Sequence, residues 1–65
     1  MNSNQYLDAM KEGVLYYIVW KGEQRGLIGD NLRVYVVACL SEYGWNEDTI
    51  SYWVDGWMGG FDNAN

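Results

Sequence analysis

The single cysteine and the absence of histidine are the features that most constrain how this chain folds. Neither an internal disulfide nor a structural zinc site can be built with Cys39 alone. A 65-residue chain without such cross-links depends on a rich apolar core or on self-association. The composition provides apolar material, since 49% of the residues are hydrophobic and 17% are aromatic. The sequence therefore predicts one small acidic domain over residues 1–65, with residues 60–65 as a flexible tail.

Glycine and turn residues divide the first half into three predicted elements. A short helix over Gln5–Glu12 is expected to stop at Gly13, a residue typical of helix ends. The run Val14–Trp20 is β-branched and aromatic, and its length favours a strand. Arg25–Ile28 would return antiparallel to it after a short turn. This half of the chain is therefore predicted to form a helix and a β-hairpin.

The second half carries the signals of two helices. Asp30 as a cap and Gly44 as a stop favour a helix over Asn31–Tyr43, although the valine-rich residues 32–40 also permit a third strand. Asn46 is the predicted cap of the last helix, whose apolar positions recur at helical spacing. The predicted fold class is α+β: a short N-terminal helix, a β-hairpin, and two C-terminal helices packed as a helical hairpin.

The sequence lacks the groups on which most catalysis depends. With no histidine, the commonest general base near neutral pH is missing, and Cys39 has no base to activate it. No glycine-rich loop matches a phosphate-binding pattern. We therefore expect no catalytic residue, no metal site and no cofactor, and predict that the chain is not an enzyme.

The amino terminus has no basic stretch leading into an apolar run, so it does not have the pattern of a signal peptide. The longest apolar run, Val14–Trp20, is too short to cross a bilayer. A lone cysteine is typical of reducing compartments. These features predict a cytoplasmic location in the host cell and no membrane partner.

The net charge of −5 is concentrated in the second half of the chain. No lysine or arginine follows Arg33, so every later acid is uncompensated. Two helices joined through Gly44–Asn46 resemble a helix-turn-helix unit. The second helix, however, begins with Glu47 and Asp48, where binding to DNA would call for basic side chains. Direct nucleic-acid binding is therefore not expected.

A protein-binding surface is the better prediction for this acidic half. Helical phase places Tyr52 with Asp48 and Asp55 on the side of the last helix away from its apolar stripe. Trp45, in the preceding turn, is expected to be at least half exposed. Tyrosine and tryptophan are frequent interface hot spots. The predicted partner-binding residues are Glu42, Trp45, Asp48, Tyr52 and Asp55.

Uncompensated carboxylates attract a partner with a basic surface, and many such surfaces belong to proteins that hold nucleic acid. Through its size, acidity and lack of catalytic groups, the chain resembles, as a class, the small inhibitors encoded by phages and mobile elements, such as anti-CRISPR and anti-restriction proteins. The acidic surface predicts that the chain occupies a nucleic-acid site by DNA mimicry, and the resemblance implies that it does so as an inhibitor. The alternative is a structural or regulatory homo-oligomer, such as a homodimer or a phage assembly component, that buries the Val34–Val37 side of the helix predicted over Asn31–Tyr43.

Overall fold

The computed structural model describes residues 3–59 of the chain, with side chains from residue 5 onward, and every regular element in this range is a helix. Helix α1 spans Ser3–Gln24, α2 spans Gly29–Glu42 and α3 spans Glu47–Gly59. The α+β prediction is therefore wrong, since the hairpin residues lie in α1 and the turn after it. The alternative third strand at 32–40 is also helical. The tail predicted at residues 60–65 lies outside the described residues.

Helix α1 includes the residues of both the first predicted helix and the first predicted strand. Gly13 lies inside it and does not end a helix. The buried positions of its second half have helical spacing: Leu15, Ile18, Val19 and Gly22. Burial of this face against α2 and α3 outweighs the strand preference of β-branched and aromatic residues, which is weak and depends on context. The predicted return strand forms a turn and the entry to α2.

Both connections between helices are built around a glycine in the left-handed region, Gly26 with φ +83° and Gly44 with φ +98°. In the second turn, the N–H of Trp45 donates to the carbonyl of Leu40 at 3.2 Å. The N–H of Gly44 donates to Ser41 at 3.0 Å. This pair of bonds defines a Schellman motif, which satisfies the last carbonyls of a helix. Gly44 is thus confirmed as the stop that the sequence predicts.

The helix starts differ from one another. Asn46 caps α3 as predicted, because its Oδ1 accepts a hydrogen bond from the N–H of Thr49 at 2.8 Å. The predicted cap of α2 is wrong. Asp30 lies inside the first turn of α2, and the residue at the cap position is Ile28, whose side chain makes no capping hydrogen bond.

The fully buried core is aliphatic, and the aromatic rings lie around it. Eight side chains from the three helices form one buried cluster: Leu15, Ile18, Val19, Leu32, Val36, Leu40, Ile50 and Val54. Trp53 and Trp57 pack against this cluster from the last helix, as their phase predicts. Six of the ten aromatic residues in the described range are exposed: Tyr6, Tyr16, Tyr17, Trp20, Tyr43 and Tyr52. The aromatic richness of the chain therefore serves its surface more than its core.

Candidate functional site

Helix α3 carries a ridge formed by Asp48, Tyr52 and Asp55, which we call the acidic ridge. The opposite side of the helix holds Ile50 and Val54 in the core. All three ridge side chains are exposed, and Tyr52 keeps 70% of its surface accessible to solvent. Positions 48, 52 and 55 are spaced by four and three residues, so they lie on one face of the helix. The exposed carboxylates therefore flank an exposed phenol ring.

Local contacts hold the ridge in place. The hydroxyl of Ser51 donates to Oδ2 of Asp55 at 3.4 Å. The Tyr52 ring stands edge-on to the Trp53 ring, with 5.7 Å between centroids and 85° between planes. Trp53 itself packs against the core. The exposed tyrosine is thus supported by a neighbour that is fixed to the core, which lowers the entropy cost of using it in a contact.

A groove lies on each side of the acidic ridge. The groove between α2 and α3 has a volume of about 490 Å³ and brings Arg33 near the carboxylates of Glu47, Asp48 and Asp55. The groove between α1 and α3 has a volume of about 400 Å³, and there Asp48 and Tyr52 face Lys11 and Asp8. Asp48 therefore borders both grooves, at the end of the ridge nearest the α2–α3 turn.

Two of the predicted binding residues lie away from the ridge. Trp45 is only partly exposed, contrary to expectation, and packs against the core. Its exposed edge lines a separate cleft with Leu7 and Met10 of α1. Glu42 is exposed at the end of α2. Ser41, the residue before it, lines the α2–α3 groove, and Glu42 is turned about 100° around the helix from Ser41. The structure thus groups Asp48, Tyr52 and Asp55, and leaves Glu42 and Trp45 outside that group.

Glu47 and Ser51 lie beside the acidic ridge, and the sequence does not predict this role for them. For Glu47 it predicts only a place at the helix start, where negative charge is favoured by the helix dipole. In the structure it also lines the α2–α3 groove, together with Ser51 and Asp55. The signal was present in the spacing, because residues four apart form one row along a helix.

The α2 face proposed for self-association is not a continuous apolar surface. Val34 is 60% exposed, but Val37 is partly buried and packs against the core. Val37 also lines the polar groove between α2 and α3. Of the apolar residues on this face, Val34 and Ala38 are exposed and Val37 is not.

The part of the chain that the structure describes holds neither a metal site nor a membrane-spanning helix. No group of three or more histidine, cysteine, aspartate or glutamate residues there is arranged to hold a metal ion. Over the same residues, no helix combines the length and the apolar character needed to cross a membrane. Comparison of the chain with protein-family models, with curated proteins and with solved structures gave no match.

Proposed function

We propose that the protein acts as a small binding protein, without enzymatic activity, whose acidic ridge docks on a basic surface of another protein. The observation that carries this proposal is the exposure of Tyr52 between Asp48 and Asp55 on the side of α3 away from the core. An aromatic ring supplies contact area at low entropy cost, and the flanking carboxylates supply charge complementarity.

The distribution of charge supports a basic partner. The chain has a net charge of −5, and all four of its basic residues lie at or before Arg33. In α3 the acids are therefore not paired within their own helix. Arg33 and Lys11 lie in the grooves beside the ridge, but the chain as a whole keeps an excess of negative charge. Such an excess raises the rate of encounter with an oppositely charged partner and makes binding sensitive to salt.

Proteins that hold nucleic acid are the partner class that best fits this surface. Asp48 and Asp55 are seven residues apart on one helix face, which is about 10 Å at 1.5 Å per residue. Phosphates three steps apart on one DNA strand have about the same separation. Glu47 adds a third carboxylate beside Asp48 and Asp55 in the α2–α3 groove. We propose that the ridge occupies a nucleic-acid channel, as a phage-encoded inhibitor of a host defence protein would.

The proposal is tested by capture from host lysate on the immobilised full chain, followed by elution with duplex DNA. We expect a protein with a basic channel to be retained and then released by the DNA. Tyr52→Ala should reduce retention at least tenfold, because a hot-spot ring is lost.

Tyr43→Ala is the matched control, since Tyr43 is also exposed, at 59%, but lies at the end of α2. Its retention should equal that of the unmodified chain. Equal losses for the two tyrosine variants, or a retained protein that duplex DNA cannot displace, would count against this function.

A further inference from the structure

The outer face of α1, directly opposite its core face, carries an apolar seam. The seam consists of four large exposed side chains and one glycine, which follow one another at alternating steps of four and three residues: Tyr6, Met10, Gly13, Tyr17 and Trp20. At 100° per residue, each lies within about 40° of the direction opposite Leu15. The solvent-exposed fractions are 58% for Tyr6, 49% for Met10, 53% for Tyr17 and 54% for Trp20. Among the described residues, no other helix covers this seam.

The charged side chains of α1 lie away from the seam, and Asp8, Glu12 and Glu23 are exposed where they lie. Four of its five charged residues lie within about 80° of the core direction: Asp8, Lys11, Glu12 and Glu23. Lys21 is the exception, and its Nζ lies over the ring of Tyr17, 5.5 Å from the centroid. A helix that faces only water normally carries its charges on the solvent side. The outer face of α1 thus has the composition of a buried surface.

We propose that this seam is a dimer interface, and that its occupant is α1 of a second copy of the same chain. Apolar residues that repeat at steps of four and three form the seam along which two helices pack in a coiled coil. The same repeat on both chains makes the surface self-complementary, which is what a two-fold interface requires. Gly13 at the centre of the seam allows the two backbones to approach closely, since no other part of the described chain lies within 4 Å of the position that a Cβ would take there.

The available area fits a weak dimer. An aromatic side chain buries about 150–250 Å² when fully covered, so covering the exposed parts of three rings in each chain removes roughly 600 Å² from water. Met10 and the neighbouring Tyr16, which is 42% exposed, add to this surface. The total stays below the lower bound of about 1,200 Å² for stable interfaces, which is the range of weak, transient contacts.

Electrostatics select an antiparallel arrangement. A parallel pair would place Lys21 of one chain beside Lys21 of the other. In an antiparallel pair with its two-fold axis at Gly13, Tyr6 meets Trp20 of the second copy, because each is seven residues from Gly13. The acidic ridge stays distant, since α3 shares its groove with Asp8 and Lys11 on the core side of α1. The interface and the ridge therefore do not overlap, and this inference does not rest on the proposed function.

The test is sedimentation equilibrium of the full chain from micromolar to millimolar concentration. We expect the mass to rise from 7.5 kDa toward twice that value. Tyr17→Glu should weaken the dimer at least tenfold, because it places a charge in the buried seam. Tyr6→Glu, in the first turns of α1 where an acid suits the helix dipole, is a second variant that keeps the fold. Tyr52→Glu on α3 is the matched control and should leave the mass unchanged.

The orientation is tested by mixing two single-cysteine variants in a Cys39→Ser background, one with Tyr6→Cys and the other with Trp20→Cys. Oxidation should yield mainly the mixed disulfide, because these positions face each other in the antiparallel pair. A predominance of the two self-linked dimers would overturn this orientation. A mass that stays at 7.5 kDa up to millimolar concentration, or a dimer that Tyr52→Glu disrupts as strongly as Tyr17→Glu, would overturn the interface itself.

Discussion

Gly22 of α1 lies directly against Leu32 of α2. A Cβ atom added at Gly22 would overlap Cδ1 of Leu32 and would lie 3.0 Å from Cδ2 of Tyr35. Gly22 is itself buried, so the missing side chain is what allows these two helices to approach closely. Across α2 from this contact, Val37 and Ser41 line the groove beside the acidic ridge. The placement of α2 on α1 therefore also sets one wall of that groove.

Substitution of the two glycines inside α1 should have opposite effects. Gly22→Ala should lower the free energy of unfolding by about 1 kcal/mol or more, because the overlap in a packed core exceeds the gain in helix propensity. Gly13→Ala, with open space around it in the single chain, should raise the free energy of unfolding of the monomer by about 0.5–1 kcal/mol. Urea unfolding followed by circular dichroism, at a concentration where sedimentation shows the monomer, measures both. A destabilising Gly13→Ala would argue that α1 is not a continuous helix.

The turn at Gly44 predicts a cost for any residue that carries a Cβ. At φ +98°, Gly44→Ala should lower the free energy of unfolding by about 1–2 kcal/mol, because the left-handed region is unfavourable for L-residues. Gly44→Asn should cost less, since asparagine is the next most tolerated residue at this position. Thermal unfolding of the two variants side by side checks the order. Equal stability of the alanine variant and the unmodified chain would contradict the observed turn.

The contribution of the Asn46 cap to stability can be measured separately from that of the other contacts of this residue. Asn46→Ala should lower the free energy of unfolding by about 1 kcal/mol, because the N–H of Thr49 loses its acceptor. Asn46→Asp keeps an acceptor and should retain most of the stability. Chemical denaturation compares the two variants. If both lose the same amount, the capping bond is not the source of the effect.

The sequence was sufficient to predict α3 and the stop of α2. The core side of α3 holds Ile50 and Val54, and its ridge side holds Asp48 and Asp55. The apolar and acidic residues of this segment therefore alternate with clear helical periodicity. The Asn46 cap and the Gly44 stop are local signals that depend on few distant contacts. These are the conditions under which sequence patterns predict structure best.

The hairpin was predicted wrongly because α1 is apolar on more than one face. Leu15, Ile18 and Val19 point into the core, while Tyr17 and Trp20 are exposed on the outside of the same helix. With both faces apolar, Val14–Trp20 shows no periodicity, and residue preference alone suggested a strand. The second apolar face, which removes the helical periodicity from the sequence, is the one that we propose as the dimer seam.

The acidic ridge was accessible to sequence reasoning, and its surroundings were not. Phase within one helix places Asp48, Tyr52 and Asp55 together. The position of Trp45 depends on how α1 packs over the α2–α3 turn, because its cleft is completed by Leu7 and Met10. Contacts between helices that are distant in sequence cannot be obtained from the phase of either helix alone.

The central claim is that the charge of the acidic ridge, and not net charge alone, provides binding. The most direct test is the affinity of the captured partner, as a function of salt, for two variants that remove the same number of charges: Asp48→Asn with Asp55→Asn, and Glu12→Gln with Glu23→Gln. All four acids are exposed. The ridge pair should weaken binding at low salt at least tenfold and flatten its salt dependence, while the α1 pair should change affinity less than about threefold. Equal losses for the two pairs would contradict the account.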